Sequence, residues 1–98
     1  MAMFMAHMIH PAESCYVFSA ENKQKLKELS SKKEEIAKKH EVKVISAVYP
    51  PLEHEIFYVV EAPSFKNVER YLKEIGFAFY NKIEIKHVEP METALEHL

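Results

Sequence analysis

The stretch HEIFYVVE, residues 54–61, decides the fold of this chain. Aromatic and β-branched residues fill its centre, which is typical of a β-strand. A second β-branched run, Val42–Tyr49, comes just before it and is interrupted by Pro50 and Pro51, which cannot donate to a strand ladder. Because the gap between the two runs is short, we expect them to form a hairpin.

Two helices are predicted on either side of this hairpin. Ser64 is positioned to cap the N-terminus of one helix, and Gly76 is positioned to end it. Ser19 similarly begins a helix predicted over Ala20–His40, with one apolar stripe and otherwise charged faces. The predicted buried positions are Phe65, Val68, Leu72 and Ile75 in the later helix, and Leu26, Leu29, Ile36, Ala37 and His40 in the earlier one.

Two further strands complete the pattern. Met3–His10 is an apolar run ended by Pro11, and Lys82–Val88 alternates strictly between apolar or histidine residues and charged residues. Residues 11–18 are predicted to be a loop, and Met91–Leu98 a short C-terminal helix. The order β-α-β-β-α-β predicts a single ferredoxin-like α+β domain over residues 1–98, with an antiparallel sheet of order 4-1-3-2 and two helices on one face.

The two central strands are apolar on both faces. Met3, Met5 and Ile9 share one parity with Phe57 and Val59, and the opposite parity is also apolar. Helices can cover only one face of the sheet, so we expect the other face to pack on an identical subunit as a homodimer.

Polar residues of two motifs meet in this topology. HPAESC, residues 10–15, follows the first strand, and PPLEH, residues 50–54, precedes the third. Because these strands are antiparallel neighbours, the end of one lies beside the start of the other. We therefore expect His10 and His54 to project from the same face at one end of the sheet, with Glu13, Cys15 and Glu53 beside them.

Imidazole, thiolate and carboxylate groups together suit Zn, Ni, Cu or Fe. The predicted ligands are His10, Cys15, His54 and Glu13, and the residues predicted to line the pocket or to hydrogen-bond to the ligands are Glu53, His7 and Tyr58. The alternatives stay open: a histidine that ends a strand, a buried packing cysteine and solvated turn glutamates explain the same residues. A Cys15–His nucleophile pair is a further alternative, although no oxyanion-hole sequence accompanies it.

Composition excludes several classes of protein. There are 13 basic and 15 acidic residues, which argues against general nucleic-acid binding. No apolar stretch reaches the length of a membrane span, and the single cysteine suits a reducing cytoplasm. All acidic residues are glutamate and all basic residues except Arg70 are lysine, a bias that suggests a thermophilic source.

The chain resembles the dimeric α/β-barrel group of ferredoxin-like proteins over residues 3–88. The resemblance rests on the element order, on the PPLEH hairpin and on the segment FYVVEAPSFKNVERYL, residues 57–72. Within that segment, the motif VVEAPS is similar to the sequences of a nickel-binding group among these proteins. It implies face-to-face dimers with a cavity between sheet and helices. The group includes monooxygenases, isomerases and haem-handling proteins, but none of their catalytic residues corresponds cleanly to a residue here.

Three functions are consistent with the sequence. The first is a small cytoplasmic metal-binding protein. The second is a dimeric-barrel enzyme acting on a small, partly apolar molecule, with His10 or His54 as acid–base group and Tyr58 in the pocket wall. The third is a regulatory module that binds a small ligand at a dimer interface.

Overall fold

A computed structural model describes residues 1–15 and 19–98 of the chain. The strands are β1 (Ala2–Ile9), β2 (Lys43–Val48), β3 (Glu55–Ala62) and β4 (Lys82–Val88), and the helices are α1 (Ala20–Ser30), α2 (Lys33–Lys39), α3 (Phe65–Glu74) and α4 (Met91–Glu96). Two short 3-10 turns lie at Ala12–Ser14 and Phe77–Phe79. The predicted loop over residues 11–18 therefore contains a 3-10 turn, and its last three residues lie outside the described part of the chain.

The four strands form one antiparallel sheet of order β2-β3-β1-β4, which is the predicted order 4-1-3-2 in reverse. The β2–β3 hairpin is confirmed, with one register shift between Val44 and Ser46. In the central pair, Ala2 lies opposite Ala62 and Ile9 lies opposite Glu55. The same end of β1 meets the start of β4, since Ile9 also lies opposite Lys82. The sheet therefore brings three chain segments together where β1 ends.

The core lies between the helices and one face of the sheet. Alternate residues of β1 point into it, and α3 contributes a continuous buried face that packs on them. The fully or nearly fully buried side chains include Phe4, Ala6, Met8, Val60, Ala62, Val68, Tyr71 and Leu72. Residues of the opposite parity, such as Met5 and Phe57, are half-buried on the other face. The homodimer predicted through that face stays a prediction.

The first helix is two helices, not one over Ala20–His40 as predicted. α1 ends at Ser30 and α2 begins at Lys33, with Lys32 in a non-helical conformation between them. The Ser31 hydroxyl donates to the carbonyl oxygen of Glu28 at 2.6 Å. A serine that bonds to nearby backbone competes with continued helix formation, so the break follows from Ser31.

α3 ends at the predicted place, but the prediction that Phe65 is buried is wrong. Gly76 follows the C-cap with a φ of +100°, a conformation that glycine adopts readily and other residues rarely do. Val68, Leu72 and Ile75 are buried, whereas Phe65 is 44% exposed. Phe65 is the first residue of the helix, where it extends past the edge of the core, and Tyr71 is buried instead.

No helix within residues 1–15 and 19–98 combines the length and the apolar character that crossing a membrane requires.

Candidate metal centre

His10 and His54 are brought together by the backbone of the two central strands. The ladder continues one residue beyond β1, because the His10 N–H donates to the carbonyl oxygen of His54 at 3.1 Å. The two imidazole rings lie 5.5 Å apart, measured between centroids, and are inclined at 62°. His10 is 5% exposed and His54 is half-buried. The predicted convergence of these two histidines at one end of the sheet is therefore present.

A tight turn after β1 carries Cys15 back to the same place. The Ser14 N–H donates to the Pro11 carbonyl oxygen at 3.0 Å, and the Cys15 N–H donates to the Ala12 carbonyl oxygen at 3.1 Å. The N-cap of α1 anchors the far side, since the Ser19 N–H donates to the Cys15 carbonyl oxygen at 2.8 Å. Cys15 is buried as a result, with 5% of its surface exposed.

The three side chains offer one compact set of donor atoms. One ring nitrogen from His10, one from His54 and the Cys15 sulfur all lie within 4.8 Å of one another. Tetrahedral zinc has bond lengths of about 2.0–2.1 Å to nitrogen and about 2.3 Å to sulfur, which places its ligand atoms roughly 3.3–3.7 Å apart. The 4.8 Å limit on the spacing of the donors is about 1 Å wider than that separation. The three side chains therefore lie close enough together to hold a metal ion.

Asn81 determines which nitrogen of His10 is available. The Asn81 side-chain nitrogen donates to the Phe77 carbonyl oxygen at 3.0 Å, which leaves its side-chain oxygen facing His10. That oxygen is 2.8 Å from His10 Nδ1. Since an amide oxygen only accepts, the proton of the neutral imidazole lies on Nδ1 and the lone pair on Nε2. Metal-binding histidines are oriented by this kind of second hydrogen bond.

Cys15 and both histidines form part of the wall of a partly open cavity of about 580 Å³. Tyr80 stands at the same wall, with its ring centroid 5.2 Å from that of His10. Tyr58 is also part of the wall and makes an edge-on ring contact with Phe77 at 5.2 Å. Burial raises the pKa of Tyr58, so its hydroxyl stays neutral. Its predicted role as a pocket residue stays a prediction.

Glu53 and Glu55 interact near the PPLEH hairpin. The Glu55 carboxylate accepts a hydrogen bond from the Glu53 carboxyl, which raises the pKa of Glu53; the same bond and a bond with His7 lower the pKa of Glu55. Both glutamates contribute to the wall of the cavity. His7 bonds to Glu55 at 3.0 Å and stacks on Phe57 at 4.6 Å. Its strand parity places His7 on the sheet face opposite the donor cluster.

Glu13 is exposed on the 3-10 turn between His10 and Cys15. The donor cluster found among the described residues consists of His10, Cys15 and His54 and does not include the Glu13 carboxylate. Its predicted role as a ligand stays a prediction.

Sequence reasoning overlooked Asn81 and Tyr80. The signal that identifies them was available, because β4 is the other antiparallel neighbour of β1 in the predicted order. The residues just before Lys82 must then lie beside the residue that follows Ile9, which is His10.

Neither protein-family models nor curated proteins match this sequence.

Proposed function

We propose that this protein binds one transition-metal ion per chain through His10 Nε2, Cys15 Sγ and a ring nitrogen of His54. The observation that carries the proposal is the state of His10. Its Nε2 atom is buried and has no hydrogen-bond partner among the described residues, while Asn81 holds the ring in the tautomer that leaves a lone pair there.

A packing role alone does not account for this arrangement. A buried polar atom without a partner costs about 1–3 kcal/mol, and proteins seldom retain one without a reason. A ring nitrogen of His10, a ring nitrogen of His54 and the sulfur of Cys15 lie within 4.8 Å of one another. A bound metal ion satisfies the lone pair of Nε2 and uses all three groups at once.

The donor set selects the kind of metal. One thiolate and two imidazoles favour zinc, copper, nickel or cobalt over calcium and magnesium, which prefer oxygen ligands. The ligands come from the end of β1, from the following turn and from the β2–β3 hairpin, so the site forms only in the folded chain. The function supported best is metal binding, as in storage or sensing.

Loading the metal-free protein with Co²⁺ tests the proposal. Co²⁺ replaces zinc in sites of this type, and thiolate ligation gives a charge-transfer band in the near ultraviolet. We expect one Co²⁺ per chain with that band, and stoichiometric zinc, copper or nickel by elemental analysis of protein purified without chelator. Both Cys15→Ser and His54→Ala are expected to abolish the band and the stoichiometric metal.

His97→Ala is the matched control, because His97 is an exposed histidine remote from the cluster in sequence. It is expected to bind Co²⁺ as the wild type does. A folded wild-type protein that takes up no metal ends the proposal, and so does equal binding by Cys15→Ser and His54→Ala. Circular dichroism of each variant confirms that the chain is folded.

A further inference from the structure

We infer that the metal ion in this site keeps one coordination position for a small exogenous molecule that is uncharged, largely apolar and carries a single nitrogen or sulfur donor atom. This inference rests on the proposed metal binding and adds the class of ligand that the site takes.

The proposed site has three protein ligands, one fewer than a closed tetrahedral site. Structural zinc sites are closed by four protein ligands, whereas sites that bind a further molecule keep three and leave a position open. The donor cluster of the described residues has three members. An ion bound to them has a fourth position to fill.

The fourth position of the proposed site lies beside the cavity. His10, Cys15 and His54 all contribute to the wall of the 580 Å³ cavity. This volume lies within the range of about 300–1,000 Å³ that is typical of small-molecule sites. An ion on the wall of such a cavity presents its open position to the interior rather than to bulk water.

The walls define the chemistry of the occupant. Most of the other wall residues are aliphatic or aromatic, including Leu26, Val48, Leu52, Ile56, Tyr58 and Phe77. Among the described wall residues there is no lysine or arginine, and the charged ones are Glu53 and Glu55. A carboxylate or phosphate ligand finds no cation other than the metal and is repelled by these glutamates. A soft thiolate–imidazole centre favours nitrogen and sulfur donors, so uncharged azoles and thioethers fit best.

The packing of α1 supports an apolar occupant. No residue of α1 is fully buried, and the partly buried Leu26 packs against the core and also contributes to the wall of the cavity. An apolar molecule there removes Leu26 and the facing wall from water, which favours binding in proportion to the area covered.

The experiment uses the Co²⁺-loaded full-length protein and three probes: 4-phenylimidazole, imidazole and benzoate. Each is titrated while the visible ligand-field bands of Co²⁺ are recorded. Both azoles are expected to shift the bands, and 4-phenylimidazole is expected to bind at least about tenfold more tightly because its phenyl ring is buried against the walls. Benzoate is expected to bind more weakly than either azole.

A variant of the wall identifies where the phenyl ring lies. Val48 belongs to the cavity wall and is 57% exposed. Because its side chain is not buried, the fold is expected to tolerate the polar substitution Val48→Ser. We expect it to reduce the preference for 4-phenylimidazole over imidazole several-fold. Val44→Ser is the matched control, since Val44 lies on the same strand but not in this wall, and its preference is expected to equal that of the wild type.

The outcomes separate the inference from the proposed function. Failure to bind Co²⁺ removes both. A bound Co²⁺ whose thiolate band is present but whose visible bands respond to no probe leaves the metal site standing and overturns the open position. Equal affinity for the two azoles, or tighter binding of benzoate, overturns the assigned class of ligand.

Discussion

Replacing Asn81 with alanine is expected to weaken metal binding about 10- to 100-fold while leaving the chain folded. The side-chain oxygen of Asn81 lies 2.8 Å from His10 Nδ1 and keeps the proton on that nitrogen. Without this acceptor the imidazole proton is free to occupy Nε2, which is the atom proposed to bind the metal. Each metal-binding event must then first return the proton to Nδ1.

The magnitude follows from the burial of His10, which is 5% exposed. Leaving a buried donor such as Nδ1–H without an acceptor costs about 1–3 kcal/mol. A tenfold change in affinity corresponds to about 1.4 kcal/mol, so the loss of this one bond accounts for about one to two orders of magnitude.

The assay is a competition titration of Zn²⁺ between the protein and a chromophoric chelator. Asn67→Ala is the matched control, since the Asn67 side chain also donates to a backbone oxygen, that of His40, at 2.9 Å. It loses a comparable tertiary bond away from the site and is expected to keep wild-type affinity. Nitrogen NMR of the metal-free wild type is expected to show the proton of His10 on Nδ1.

Wild-type zinc affinity in folded Asn81→Ala would refute this reasoning, as would a proton on Nε2 of His10 in the metal-free wild type. An equal loss of affinity in Asn67→Ala would attribute the effect to general destabilisation.

Two further predictions concern the fold. Met8→Ala is expected to lower the free energy of unfolding by about 2–5 kcal/mol, because Met8 is completely buried in β1, whereas Met91→Ala, at a residue 71% exposed, is expected to change it by less than about 0.5 kcal/mol in urea denaturation. Hydrogen bonds from Lys39 and then His40 lower the pKa of Glu74 below its ordinary value of 4.5. The stabilisation by ionised Glu74 is thus present above pH 4.5 and is lost as the pH falls through the lower folded value. Urea midpoints of wild type and Glu74→Gln are expected to differ at pH 7 and to converge in acid, and a difference that grows in acid would contradict the assigned direction.

The strand pattern allowed much of the site to be predicted from sequence. β4 has the predicted bounds, because its strict alternation leaves no freedom in register. Pro11 and Pro50–Pro51 mark where β1 and β2 end, and the antiparallel order then places His10 next to His54. These inferences use only local signals and one rule of topology, and the structure agrees with them.

The remaining features depend on contacts between segments that the local pattern does not encode. The break after α1 arises from a side-chain bond of Ser31, which has no fixed outcome within a charged helical sequence. The exposure of Phe65 depends on where α3 begins relative to the edge of the sheet. Asn81 was missed because an asparagine between an aromatic turn and a strand is typical of an ordinary loop. Its importance follows from the strand order, which places the residues just before β4 beside His10.

The proposed metal site links metal binding to stability, because His10, Cys15 and His54 meet only in the folded state. Free metal at 100 times its dissociation constant is expected to add about 2.7 kcal/mol to the free energy of unfolding. That is a substantial share of the roughly 5–15 kcal/mol typical of small domains. Excess Zn²⁺ should therefore raise the thermal midpoint of the wild type and leave that of Cys15→Ser unchanged. An equal increase in both would mean that the stabilising ion binds elsewhere on the chain, and the proposed site would lose its physical basis.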